Sequence, residues 1–497
     1  MNDLLGVLLR FRQGRVAIVG DIEAMFHQVR MIESDRDFLR FLWWDGGDIQ
    51  KPPNEYRMCV HLFGATSSPS CAGRALRQTA ADYEKSFTDT ISRRAIDIIR
   101  SSFYVDDCLA SVENSESAIK LVSRLMEILA KGGFRLTKWL SNDRNVLDSI
   151  AESERAASVP VSLDELPTER TLGVSWCVEG DHFTFQTSLK GKPVTRRGLL
   201  SVTSSIYDPL GFAAPLVLIA RSLLQQVCKR GAGWDEPLTE EESRQWNEWI
   251  SYVSNLSEVR VPRWLRLDEA VDVQLHIFCD ASERGYAAVA YLRTTLNDEI
   301  SCQYVVGKAR VTPLKSISIP RLELMAAVLA VTLDNTIRRE LTYQLDRTTY
   351  WSDSTIVLSY IRNKDKRFKT FVANRISKIH SVSQPDQWRH VGTKENPADE
   401  GSRGTYSMGK WLTGPDFLIK DPSHWPVSRF DDLDLSKDPE AKKNLVQNVI
   451  QSHHVQVNNN NGQDDLLADL VSKCSQWTRL VRVLGWILRF RDNLKNK

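Results

Sequence analysis

Apolar positions in the first third of the chain fall into short strand-like pieces separated by longer helical ones. Val16 to Val19 and Phe103 to Leu109 read as strands, whereas Ala72 to Phe87 and Ser115 to Lys131 carry apolar residues at helical spacing. Residues 1–140 are thus predicted to form an α/β or α+β layer. Residues 141–190 are polar and turn-rich, with one short strand at Thr171 to Trp176. A block rich in Leu, Trp and charge, from about Arg196 to Asn255, predicts a helical connector. Its longest apolar run, Leu210 to Leu224, is broken by Pro215 and Arg221; it reads as a buried helix and falls short of the roughly 20 apolar residues a membrane span needs.

A second α/β unit runs from about Val271 to Gly404. Val271, Val273, Leu275 and Ile277 are expected on one face of a strand, with a turn at Glu283-Arg284-Gly285 and a second strand after it. Pro320 suits the first turn of a helix striped by Leu322, Met325, Leu329 and Leu333. A further strand leads to Asp353 and a helix, and Pro397 precedes a last helix. The chain then turns polar, with a low-complexity linker at Asn458 to Gly462 and an amphipathic stretch from Leu466 to Leu494.

Composition narrows the class. At 497 residues and 42% hydrophobic, the chain has apolar content for two to four domains. A net charge of +2 neither demands nor excludes a polyanionic partner, so local patches decide. The eight cysteines contain no C-x-x-C pair, which argues against a disulfide framework or zinc knuckle and for a reducing, intracellular and cytoplasmic setting. Met1 to Arg15 lacks the pattern of a cleaved leader, and no membrane partner is expected.

Candidate chemistry lies in the acids. Asp106 and Asp107 stand inside the aromatic and apolar run "SFYVDDCL", where ionised groups are costly to desolvate unless a cation compensates them. Carboxylates at a hairpin tip can hold divalent ions through hard oxygen ligands, and Asp21, delivered after Val16 to Val19 and Gly20, is a third candidate. The bland alternatives are a hairpin turn for the pair and a helix N-cap or turn for Asp21. In the second half, Asp280, Glu323, Asp353 and Asp399 are expected at a strand end, a helix, a strand end and a helix start. Singly, they could be a turn residue, a favourable first-turn charge and two N-caps. Together, in that order, they resemble the ribonuclease H fold, and the resemblance implies two Mg²⁺ ions about 4 Å apart, which activate the attacking oxygen and neutralise the leaving one.

The order Asp21, "HLFGATSSPS", "FYVDD" and "KGGFRLTKWLSN" resembles the palm motifs of reverse transcriptases, and the later quartet resembles the ribonuclease H fold. The phrases "FGATSSPSCAGRALRQTA", "YDPLGFAAPLVLIARSLLQ", "IPRLELMAA", "YWSDSTIVLSYI" and "NPADEGSRG" resemble the polyprotein of Bel/Pao-type long-terminal-repeat retrotransposons, from about residue 5 to 405. The resemblance implies a reverse transcriptase palm at 1–190 with its fingers missing, a thumb and connection at 191–268, a ribonuclease H-like domain at 271–405, and a tail at 406–497 leading toward an absent integrase. It makes Asp21, Asp106 and Asp107 the polymerase carboxylates and metal ligands, and Asp280, Glu323, Asp353 and Asp399 the hydrolytic ones. Phe26 matches the aromatic that crowds a sugar 2′-hydroxyl. Phe63 and Gly64 match the segment under the incoming nucleotide, though many relatives have Gln where Phe63 stands. Lys138 matches a palm lysine, and Leu172-Gly173 the primer-grip turn.

The implied partners are RNA/DNA hybrid, template-primer, deoxynucleotides and other portions of the same polyprotein, with Mg²⁺ as cofactor. Absence of the fingers, which in the family grip the triphosphate, weakens the expectation of polymerase activity. A non-catalytic nucleic-acid-binding remnant stays open as the alternative. A hybrid is read through backbone geometry and 2′-hydroxyls, so phosphate contacts are expected from Lys364 to Lys369 and from Arg196-Arg197, whose bland reading is a solvated helix face.

Overall fold

The computed structural model describes residues 2–442 apart from 187–191, 268–269, 297–298, 365, 428–432 and 436–437. Helix α1 (Leu4–Phe11) leads into strand β1 (Val16–Ile22). A hairpin follows, β2 (Arg40–Trp43) with β3 (Asn54–Arg57), which the sequence reading did not anticipate; Phe41 and Tyr56 stack across it at 5.8 Å, exposed. Helices α2 (Ser68–Tyr83) and α3 (Thr90–Ser101) precede β4 (Phe103–Tyr104) and β5 (Asp107–Val112). The expected strand from Phe103 to Leu109 is therefore a tight hairpin, turned at Val105 (φ 59°) and Asp106. Helix α4 (Ser115–Lys131) and β6 (Leu136–Ser141) complete a sheet of order β4-β5-β1-β6, with β1 antiparallel to both β5 and β6. Ile18, Leu76, Ile99, Leu125 and Trp139 form part of the core between this sheet and its helices.

Strands β7 (Thr168–Thr171), β8 (Val174–Cys177), β9 (His182–Thr184) and β10 (Val261–Pro262) form a small antiparallel sheet. The single strand expected at Thr171 to Trp176 is split by a turn, because Leu172 (φ 50°) and Gly173 (φ 80°) are left-handed. The connector is helical as expected, with α5 (Arg196–Ser205), α6 (Ala214–Arg230) and α7 (Glu240–Val253). Pro215 does not break the apolar run but opens α6 in its first turn, where a missing N–H is no loss.

The third sheet holds β11 (Asp272–Ala281), β12 (Gly285–Leu296), β13 (Glu299–Val311), β14 (Thr349–Ser352) and β15 (Trp388–His390), in the order β13-β12-β11-β14-β15. The first three are antiparallel, whereas β14 runs parallel to β11 and β15 parallel to β14. Helix α8 (Ile319–Glu340) packs on β11 and β12, followed by α9 (Thr355–Arg362), α10 (Thr370–His380) and α11 (Ala398–Arg403). Val271 lies outside β11 and is 83% exposed, and residues on both sides of that strand are buried. Val273, Leu275 and Ile277 share one buried face of β11 as expected, and beyond Leu275 the other face is buried too, as in a central strand covered on both sides. Both the Asn458 to Gly462 linker and the Leu466 to Leu494 stretch lie outside the described residues.

The fold class is thus mixed α/β and α+β in several sheets, as the sequence predicted.

Candidate active site

Strand β11 carries Asp280 to its C-terminal end, opposite Ala287 of β12. Its parallel neighbour β14 ends at Ser352, in register with Cys279, so Asp353 emerges beside Asp280. Glu323 lies near the start of α8, and Asp399 near the start of α11, and both helices pack on β11. The bland readings fail for three of these acids: Asp280 is in a strand rather than a turn, the cap of α9 is Ser354, not Asp353, and the cap of α11 is Pro397, not Asp399. One sheet edge and two helices bring all four acids together in one region.

Each acid has a protein partner. The Ser402 hydroxyl donates to Asp280. Ser354 Oγ donates to Glu323 Oε2 at 2.6 Å while accepting from the Val357 N–H at 3.3 Å, so one hydroxyl caps α9 and orients the glutamate. Asp353 accepts from Thr393 Oγ1 at 2.8 Å and from Asn396 Nδ2 at 3.4 Å, and Asn396 also donates to the Cys279 carbonyl at 3.1 Å. Arg403 Nε donates to Asp399 Oδ1 at 2.5 Å. Ser402, Ser354, Thr393 and Asn396 were missed by sequence reasoning; adjacency to an acid in "WSDST" was the only available signal, for Ser354.

Burial raises the Asp280 carboxyl to about 8, and repulsion from Asp353 and Asp399 adds to it. Burial, and then Asp353, also pushes Glu323 up. Carboxyls raised in this way keep their protons more readily, and a cation placed among them would favour their ionised form.

In the first sheet, Asp21 on β1 faces Asp107 on β5 in antiparallel register, so Asp21 is neither a cap nor a turn residue. Asp106 occupies the hairpin turn next to it, its carbonyl accepting from the Ile22 N–H at 3.0 Å. Burial lifts Asp107 to about 6, helped by Asp106 and Asp21, and burial also raises Asp106. Lys138 reaches Asp21 Oδ1 with Nζ at 2.8 Å. It does so from a left-handed position (φ 53°) where the β1–β6 register shifts, an irregularity that re-aims a side chain.

Phe26, in the turn after β1, packs edge-on against Phe63 at 4.9 Å, and Gly64 has φ 88°. Gly173 stands apart from these, in the β7–β8 turn. A Cβ there would lie 2.8 Å from the ring of Tyr207, and the phenol of Tyr207 is within electrostatic reach of Tyr104 on β4. Tyr207, though within the quoted "YDPLG", is the link to the hairpin that the sequence reading left without a role.

The expected basic contacts divide. Arg197 is held by Asp235 at 2.7 and 2.9 Å, and Arg196 stacks on Trp234 at 4.2 Å, so this pair has structural work. Lys364, Lys366, Arg367 and Lys369 lie in the loop between α9 and α10 rather than on a helix face.

Among the described residues, no three His, Cys, Asp or Glu side chains are gathered closely enough to hold a metal ion as they are oriented. The donor chemistry of the quartet nonetheless fits a hard divalent cation: all carboxylate oxygens, partly buried and mutually repelling, with short hydroxyl and amide partners that side-chain rotation can exchange. No helix among the described residues is long and apolar enough to cross a membrane.

Residues 195–354 match the family described as Pao retrotransposon-like RNaseH-like domain. The likeness to Pao-type retrotransposons read from the motif phrases is therefore shown over this segment, which contains Asp280, Glu323 and Asp353. Among solved structures, the chain is similar to the foamy viral protease-reverse transcriptase solved in complex with RNA/DNA hybrid, at 14% identity and a TM-score of 0.47, covering 78% of this chain and 45% of that one. The chain thus spans less than half the length of that protein. No curated protein matches.

Proposed function

We propose that the chain is the reverse transcriptase/ribonuclease H portion of a retroelement polyprotein and that its third sheet hydrolyses the RNA strand of RNA/DNA hybrids. On this reading residues 1–190 are the palm, 191–268 the thumb and connection, 271–405 the ribonuclease H-like domain, and 406–497 a tail toward further parts of the polyprotein. The observation that carries it is the convergence of Asp280, Glu323, Asp353 and Asp399 from one sheet edge and two helices. Asp280, Glu323, Asp353 and Asp399 would hold Mg²⁺, which when bound supplies a more acidic attacking water and charge neutralisation at the leaving oxygen. Ser402, Ser354, Thr393 and Asn396 hold the carboxylates in the free protein, and side-chain rotation would hand these oxygens over to the cation.

Asp21, Asp106 and Asp107 would hold the same cation at the palm, with Lys138 beside Asp21. Phe26, Phe63, Gly64 and Gly173 would contact deoxynucleotide and template-primer. A non-catalytic nucleic-acid-binding remnant is the second reading, favoured by the protein hydrogen bonds already present on all four acids of the quartet.

Substitution separates the two. Asp353→Asn keeps shape but removes a charge, and it should lower hybrid cleavage by about a thousandfold, the scale of several kcal/mol. Asp106→Asn should leave cleavage intact. Cleavage that survives in Asp353→Asn would refute the assigned quartet.

A further inference from the structure

Beside the quartet, an acidic stretch of the chain lies across the basic loop 363–369. The Lys369 N–H donates to the Glu440 carbonyl at 2.8 Å and the Lys442 N–H to the Arg367 carbonyl at 2.7 Å, making Phe368 and Ala441 a single antiparallel bridge. Side chains follow the same pairing. Glu440 binds Arg321 bidentately at 2.8 and 3.0 Å, and Asp438 accepts from the Tyr360 hydroxyl at 2.9 Å. Leu433 N–H donates to Ser359 Oγ at 3.2 Å, and Asp434 lines a cavity of about 320 Å³ with Arg362, Lys364 and Lys366.

This contact adjoins the candidate chemistry. Arg321 precedes Glu323 by two residues on α8, and Tyr360 is within electrostatic reach of both Glu323 and Glu440. Arg321 also stacks on Phe371 at 4.7 Å, so its guanidinium is held in place for a planar anion. A bidentate oxyanion on arginine, with further oxyanions along a lysine-rich loop, is also how a phosphodiester backbone binds.

We propose that Asp434, Asp438 and Glu440, with the backbone at 440–442, are an intramolecular stand-in for nucleic-acid phosphates, holding Arg321 and the basic loop in the free protein and being displaced when a polyanionic strand enters. The proposal rests on the nucleic-acid reading above. One bridge, the Arg321–Glu440 ion pair, the Tyr360–Asp438 hydrogen bond and the buried Leu435 hold the segment, few enough contacts for local opening short of global unfolding. Its tether gives it a high effective concentration, so it lowers apparent affinity without any change in the site itself.

The test measures binding of a fluorescent RNA/DNA hybrid at fixed salt without Mg²⁺. It compares the full chain, the variant Asp434→Asn/Asp438→Asn/Glu440→Gln, and a control with the same charge change elsewhere, Glu240→Gln/Glu241→Gln/Glu248→Gln. The first variant should bind at least about fivefold tighter than the control, the lower end of ordinary coupling between sites. In the unmodified chain, hydrogen exchange at the Lys369 and Lys442 amides should quicken when hybrid is added, a readout that needs no variant to fold. Equal tightening in both variants, or exchange unchanged by bound hybrid, overturns the displacement while leaving nucleic-acid binding standing. No binding by any of the three overturns both.

Discussion

His276 illustrates how a single buried group constrains the sheet that presents Asp280. The Trp351 indole N–H points at His276 Nδ1 at 3.2 Å, so Nδ1 must offer a lone pair and the proton sits on Nε2, facing Gln274 Oε1 at 3.4 Å. Burial, with Arg293 and Arg389 nearby, lowers its pKa from 6.5 to about 3. Because the folded value lies below the unfolded one, this contribution is complete above pH 6.5 and is lost as pH falls toward 3, at about 1.4 kcal/mol per pH unit. The stability difference between pH 7 and pH 5 should therefore shrink by about 2 kcal/mol in His276→Gln; denaturant unfolding at the two pH values measures it, and an unchanged difference would contradict a neutral buried histidine. At this scale the acids were legible in the sequence because each closes an apolar strand or opens a helix. Ser402, Thr393 and Asn396 were not, since small polar residues in loops carry no periodic signal and acquire a role only through the fold.

At the scale of elements, Ser354 couples the start of α9 to Glu323 on α8. Ser354→Ala removes a cap worth about 1 kcal/mol and frees the glutamate. Hybrid cleavage should fall about tenfold in kcat with KM little changed, and Ser354→Thr should restore it, because the threonine keeps the hydroxyl. Loss of stability without any change in kcat would reduce Ser354 to a cap. The helices were legible from their apolar stripes. The β2–β3 hairpin was not, because both its strands lie exposed and carry no buried face to read. Nor was the division of β7 from β8, which depends on left-handed backbone at Leu172 and Gly173 rather than on hydrophobic pattern.

Across the whole molecule, two buried guanidiniums join what the sequence reads as separate regions. Arg12, after α1, donates to the carbonyls of Arg263, Pro262, Tyr304 and Val305 at 2.7–3.1 Å; burial lowers its pKa to about 9, so it remains a cation at neutral pH. Arg263 in turn donates to the carbonyls of Phe11, Gly14 and Arg15 and to Asp181. Backbone just before β1 is thus tied at one point to that of the second and third sheets, and the hydrophobic core there runs on from α1 to β13. Sequence could not foretell this, because Arg12 bonds only carbonyls and the acid that pairs with Arg263, Asp181, lies 82 residues away in the chain. A frame of this kind holds the two acidic sites on one scaffold while leaving their chemistry separate. The central claim is that the third sheet is a metal-dependent nuclease for hybrids, and the most direct measurement is cleavage of an RNA/DNA hybrid labelled on each strand, with Mg²⁺ or with chelator. Cuts are expected in the RNA strand alone, only with Mg²⁺, and about a thousandfold slower from Asp353→Asn; cleavage that persists in chelator, or a folded protein that binds hybrid and never cuts it, would contradict the assignment.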